Sequence, residues 1–121
     1  MVPVTWQTGA PEMSAKQKLT EMNARAAALY KADGKTMAAF RGLMLAAKRE
    51  GQIPLAMKEM IALAVAIGRG CEDCVIYHSS EAKAHGASRE EFLEVLAIAI
   101  EMSGGPGTVY AAKALAAFDE L

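Results

Sequence analysis

The chain is short of charge imbalance, β-branched residues, cysteine and long apolar runs, and each shortage closes off a class of protein. Thirteen Lys and Arg stand against fourteen Asp and Glu in 121 residues, a net charge of -1. Proteins that bind nucleic acid or anionic membranes carry a basic excess, so neither partner is expected. Val, Ile and Thr together number 17, against 25 alanines. β-branched residues favour sheets and alanine favours helices, so the chain is expected to be all-α. The longest uninterrupted apolar run, Met60 to Ile67, falls far short of the roughly 20 residues of a membrane-spanning helix. Met1 to Gly9 shows no basic cluster followed by an apolar core, so no secretory signal is read and a cytoplasmic location is expected. Only two cysteines occur, Cys71 and Cys74. They cannot form a disulfide framework; in a reducing compartment so close a pair points to redox or metal chemistry.

What is present is a helical pattern on a composition 53% hydrophobic and 22% charged, which excludes a disordered chain. Residues 1–12 hold Pro3, Gly9 and Pro11 and read as an irregular arm, with Trp6 as its packing anchor. Residues 13–121 read as one domain. Ser14 and Gln17 have capping-box spacing, so a helix starts near Ala15. Leu19, Met22, Ala26 and Leu29 form its apolar stripe, and Asp33-Gly34 ends it. Thr36 to Arg49 repeats the pattern with Met37, Phe40, Met44 and Ala47. Pro54 suits the first turn of a third helix, apolar on every side from Met60 to Ile67 and closed by Gly68 and Gly70. A fourth runs from Cys71 to about Ala84. Ser88 and Glu91 cap a fifth, Gly104 to Gly107 break the chain, and Thr108 to Asp119 form the sixth. Such a compact bundle of about six helices carries more apolar stripe than one small core needs, which points to a homo-oligomer.

Chemistry concentrates between Glu59 and His78. Cys71 and Cys74 fall at a helix start, where unpaired N–H groups and the positive dipole end stabilise a thiolate. Cys74 and His78 are four apart and share a helix face, so the imidazole can take the thiol proton directly or through a water. Glu59 stands next to the apolar run with only Lys58 as a charged neighbour, and a buried carboxylate needs a partner. A histidine from the next helix fits, giving a Glu–His–Cys relay with the second cysteine placed to resolve an oxidised first one.

The same residues have plainer readings. Paired cysteines can be small buried hydrophobes. Glu59 can be a first-turn carboxylate stabilised by the dipole, and His78 a structural histidine. His85, before Gly86, reads as a helix cap; Tyr77 and Tyr110 could line a pocket, with core packing the preferred reading for both. Glu72 and Asp73 suit a helix N-terminus but place negative charge beside the thiols. Cys71, Cys74, His78 and Glu59 could instead hold zinc, although structural zinc sites usually join two separated ligand pairs and no second Cys/His pair exists.

Lys58 to Ala66, Cys71-Glu72-Asp73-Cys74-Val75-Ile76-Tyr77-His78, Ala82, Gly86-Ala87-Ser88, Glu90-Glu91-Phe92 and Gly105-Pro106 together resemble the carboxymuconolactone decarboxylase family, and within it the alkyl hydroperoxidase D-like branch. The resemblance covers residues 50–118 and retains the pattern Glu-x11-Cys-x2-Cys-x3-His. It implies an all-helical fold assembling as trimers or hexamers, and a peroxidase that needs no cofactor or metal. By this resemblance Cys74 attacks a hydroperoxide and becomes a sulfenic acid. Cys71 is proton donor and resolving thiol, closing a Cys71–Cys74 disulfide, and His78 and Glu59 relay protons through a water. A dithiol reductant then restores the thiols, a lipoylated protein in the best-understood members. Those members carry a histidine before the second cysteine, where this chain has Asp73. The decarboxylase branch does not use a cysteine pair, and only Lys58 and Arg69 flank the motif as cations for an anionic lactone.

Overall fold

The structure is a computed structural model and describes residues 13–121. The arm expected at 1–12, with Trp6, lies outside the described residues. Ser14 accepts from the Gln17 N–H at 3.1 Å while the Gln17 side chain accepts from the Ser14 N–H at 2.8 Å. This capping box opens α1 (Ala15–Ala32). Glu120, from the far end of the chain, also accepts from the Ala15 and Lys16 N–H groups at 2.9 and 3.3 Å. A carboxylate thus covers donors that a helix start leaves unpaired. Asp33 ends α1 and caps α2 (Gly34–Ala47), accepting from the Thr36 N–H at 3.2 Å. Then come α3 (Leu55–Arg69), α4 (Glu72–Ala84), α5 (Arg89–Ser103, with its Ser88–Glu91 capping box) and α6 (Gly105–Glu120). No strand occurs among the described residues.

Several expected boundaries move. Helix α2 begins and ends two residues earlier than the expected Thr36 to Arg49. Pro54 is the N-cap of α3 and not part of its first turn. Gly68 does not close α3; the helix continues to Arg69, because an interior glycine costs only about 1 kcal/mol. The break after α5 is one residue, Gly104, at φ 68°. Pro106 lies in the first turn of α6, where its missing N–H costs nothing. Gly107 is buried inside that helix, and a Cβ there would lie 2.8 Å from the Ser103 Cβ. Its lack of a side chain lets α6 leave α5 at close quarters.

The core sits among α3 to α6. Helix α4 packs on α3 and α6, α5 packs on the same two, and α1 lies across α4 and α6. Met60, Leu63, Val75, Phe92, Leu96 and Ala114 are buried there. Phe92 stacks on Phe118 at 4.3 Å between ring centroids. Each fully buried side chain of the larger kind contributes about 1.5–3 kcal/mol. The run Met60 to Ile67 is divided: Met60, Leu63, Ala66 and Ile67 face the core, whereas Ile61 and Val65 are exposed. Among the described residues, helix α2 packs on no helix but α1 and buries no residue of its own, leaving Phe40, Leu43 and Leu45 exposed.

Candidate active site

The site begins with the way α3 ends. Gly70 takes the left-handed conformation, φ 70°. The Gly70 N–H reaches the Ile67 carbonyl at 3.2 Å, and the Cys71 N–H reaches the Ala66 carbonyl at 3.1 Å. These two bonds are the Schellman arrangement, which glycine favours because it has no Cβ to clash. The turn delivers Cys71 directly to the N-cap of α4. Cys74 is then the third helical residue, and its N–H donates to the Cys71 sulfur at 3.2 Å. The Cα atoms lie 5.3 Å apart and the sulfurs are joined as a disulfide, a Cα separation typical of such bonds. His78 follows Cys74 by one turn on the same face.

Glu59 lies in the second turn of α3, not the first, so the dipole reading of it does not hold. Its side chain is 1% exposed, and each oxygen has a partner. Oε2 is 2.8 Å from His78 Nδ1, and Oε1 is 2.6 Å from Lys48 Nζ. Burial pushes this carboxyl upward, but the hydrogen bonds from His78 and Lys48 outweigh it, and Glu59 lies below the ordinary value of 4.5. It is therefore an ionised acceptor, and His78 Nδ1 must carry hydrogen to bond it. That leaves His78 Nε2 as the ring atom able to exchange protons.

Lys48 is the residue that the sequence reading missed. It is the C-cap of α2, eleven positions before Glu59. Lys58, the expected charged neighbour, instead donates to the Arg49 carbonyl. A buried carboxylate signalled the need for a cation, but not which lysine would supply it. Tyr77 also moves from the core to the site. Its ring meets His78 edge-on at 5.0 Å and lies 5.5 Å from Lys48 Nζ, within cation–π range. Burial, then the charge of Glu81, push its phenol upward.

The acidic residues between the cysteines have long-range partners. Glu72 pairs with Lys18 of α1 at 2.5 Å and Lys113 of α6 at 3.3 Å, and Asp73 with Arg25 of α1 at 2.9 Å. The Lys18 hydrogen bond holds the Glu72 carboxyl below its usual range. The negative charge beside the thiols is thus matched by cations. His85 is the C-cap of α4, 3.3 Å from Glu81. Arg69 lies at an open groove with Val65, Ile98, Met102 and Tyr110. Among the described residues no three His, Cys, Asp or Glu side chains are gathered to hold a metal ion, and no helix is long and apolar enough to cross a membrane.

The chain is similar to known proteins across most of its length. It is 54% identical over 106 residues to an uncharacterised protein of Cupriavidus necator, covering 88% of this chain and 94% of that one. It is 35% identical over 83 residues to an uncharacterised protein of the cox locus of Paracoccus denitrificans, covering 69% and 75%. Among solved structures it resembles the apo form of a carboxymuconolactone decarboxylase family protein from Legionella pneumophila. The TM-score is 0.84 at 36% identity, over 88% of this chain and 95% of that one. The sequence pattern of the carboxymuconolactone decarboxylase family matches residues 34–117, from the first residue of α2 to the last turn of α6, and the chain belongs to that family.

Proposed function

We propose that this chain is a thiol-dependent peroxidase of the alkyl hydroperoxidase D-like branch, reducing hydroperoxides through Cys71 and Cys74. One observation carries the reading. Both sulfurs lie at the N-terminus of α4 and bond to each other, one turn before a histidine fixed by a buried carboxylate. In the reduced protein His78 accepts the Cys74 proton, and the thiolate attacks one peroxide oxygen. The S–O bond forms, the O–O bond breaks, and the alkoxide leaves as the alcohol with the Cys71 proton. Cys74 is now a sulfenic acid. The Cys71 thiolate attacks its sulfur, the S–S bond forms, and hydroxide leaves as water with the proton held by His78. The peroxide has been reduced by two electrons and the dithiol oxidised by two. An external dithiol, such as a lipoyl group, reopens the disulfide by exchange and becomes a disulfide itself.

The α4 dipole and its free N–H groups favour the thiolate, and the cations on Glu72 and Asp73 keep those carboxylates from opposing it. The same reading takes the chain as a homo-oligomer, trimer or hexamer. Its support is α2, which exposes the large apolar side chains of Phe40, Leu43 and Leu45 and, among the described residues, packs on α1 alone; exposed apolar patches mark interaction surfaces. Replacement of the cysteines tests the chemistry. Cys74→Ser should abolish peroxide consumption with the fold intact, and Cys71→Ser should leave a sulfenic acid at Cys74 that a dimedone-type probe traps. Unchanged turnover in Cys74→Ser protein would overturn the proposal and favour a lyase using His78 and Glu59 alone.

A further inference from the structure

The buried carboxylate of Glu59 is shared between two nitrogens of different character. Lys48 Nζ holds one oxygen at 2.6 Å and His78 Nδ1 the other at 2.8 Å. One negative charge is removed from water almost completely, and one lasting positive charge stands against it. With Lys48 in place the pair is already neutral. His78 can then bond Glu59 as a neutral ring, Nδ1–H donating and the Nε2 lone pair free. Without Lys48 the carboxylate would have only the imidazole to balance it, and a buried carboxylate favours the charged form of its partner. An imidazolium has no lone pair and cannot take a thiol proton.

We propose that Lys48 is a positioning residue of the site, neutralising Glu59 so that His78 keeps a free Nε2 and serves as the base for Cys74. This rests on the peroxidase reading only for what the base does; the charge arrangement is independent of it. Among the described residues, other charged and titratable groups on His78's own helix and on the helices packed against it have partners elsewhere, Lys83 on the Phe118 carbonyl among them. From its own helix come Tyr77, against the ring, and Glu81, which faces Tyr77 and pairs with His85. Helices α1 and α6 contribute Lys18, Arg25 and Lys113, all directed at Glu72 and Asp73. Lys58 is turned to the Arg49 carbonyl, and α5 does not pack on α4. Lys48 is therefore the cation whose removal changes the charge on Glu59's other side. Its place is specific too, because it is the C-cap of α2, which among the described residues packs only on α1.

The test uses the full chain as wild type, Lys48→Met and Lys48→Arg. The two histidines of the chain give separate ring signals by NMR, His85 serving as the internal reference. At neutral pH the His78 ring signals of Lys48→Met should move toward those of an imidazolium, the effect of a buried carboxylate whose charge is no longer shared. The His85 signals should stay, and Lys48→Arg should follow the wild type. The rate of peroxide-dependent Cys74 oxidation in Lys48→Met should fall at neutral pH, because a ring held as imidazolium cannot act as the base, and recover as pH rises. A merely structural lysine would lower the rate at every pH alike. Should Lys48→Met not fold, Lys48→Gln removes the charge and keeps a donor. Unmoved His78 ring signals overturn the inference even if the wild type consumes peroxide. Moved signals in a protein that ignores peroxide sustain the inference and remove the peroxidase reading.

Discussion

Glu59→Gln separates chemistry from architecture most sharply, because it changes charge and leaves shape. The carboxylate accepts two charge-assisted hydrogen bonds. Bonds to charged groups contribute about 1.5–3 kcal/mol each, against about 0.5–1.5 for neutral ones, so their weakening costs about 2–3 kcal/mol in all. Against this, the variant no longer has to bury an anion, a penalty of several kcal/mol before compensation. The two nearly offset, and Lys48, 26% exposed, can turn its ammonium to water. The net loss of stability should stay within about 2 kcal/mol. Chemistry has no such compensation. An amide offers one oxygen and one NH2 group to two donors. If its NH2 faces His78, the ring must accept at Nδ1 and carry its hydrogen on Nε2, and the base is lost. If its oxygen faces His78, Lys48 loses its acceptor and the ring loses its anionic anchor. General acid–base catalysis supplies about 10²–10⁴-fold, and peroxide consumption should fall within that range. The assay is dithiol-driven peroxide consumption at saturating reductant, run beside a thermal melt of the same sample. A folded Glu59→Gln protein turning over at the wild-type rate would refute the relay.

Further expectations concern acid, assembly and packing. The Glu59 carboxyl lies below 4.5 in the folded protein, so its ion pair stabilises fully above that pH and is lost as pH falls through the folded value. The wild type should lose melting temperature more steeply than Glu59→Gln below pH 4.5, read by scanning calorimetry. Leu43→Asp puts a charge on the exposed face of α2 and should lower the sedimenting mass of the protein while helical circular dichroism persists; an unchanged mass would exclude that face from assembly. Gly107→Ala places a Cβ 2.8 Å from the Ser103 Cβ. Its gain in helix propensity is about 1 kcal/mol, and overpacking costs about 1–3 kcal/mol, so the melting temperature should fall.

Local signals made most of the fold legible in the sequence. Ser14 with Gln17 and Ser88 with Glu91 cap helices through bonds spanning three residues, and such bonds are fixed by spacing alone. The misjudged boundaries were those where one residue type has two uses. Gly68 continues a helix while Gly70 ends one, and Pro106 begins a helix although proline usually breaks them. Glu59 and His78 were legible as partners because an ionised group beside an apolar run must be compensated. Lys48 was not, because its approach depends on how the segment after α2 returns to α3. The same holds for Lys18, Arg25 and Lys113, which reach Glu72 and Asp73 from elements distant in sequence. Charge pairs across a bundle follow from packing, and no local pattern announces them.

Whether Cys71 and Cys74 form a peroxide-reactive pair is read by intact-mass spectrometry of reduced, metal-free protein before and after one equivalent of an organic hydroperoxide. A reactive pair loses two hydrogens, mapped to a Cys71–Cys74 disulfide and reversed by a dithiol. No mass change at near-stoichiometric peroxide would contradict the peroxidase reading.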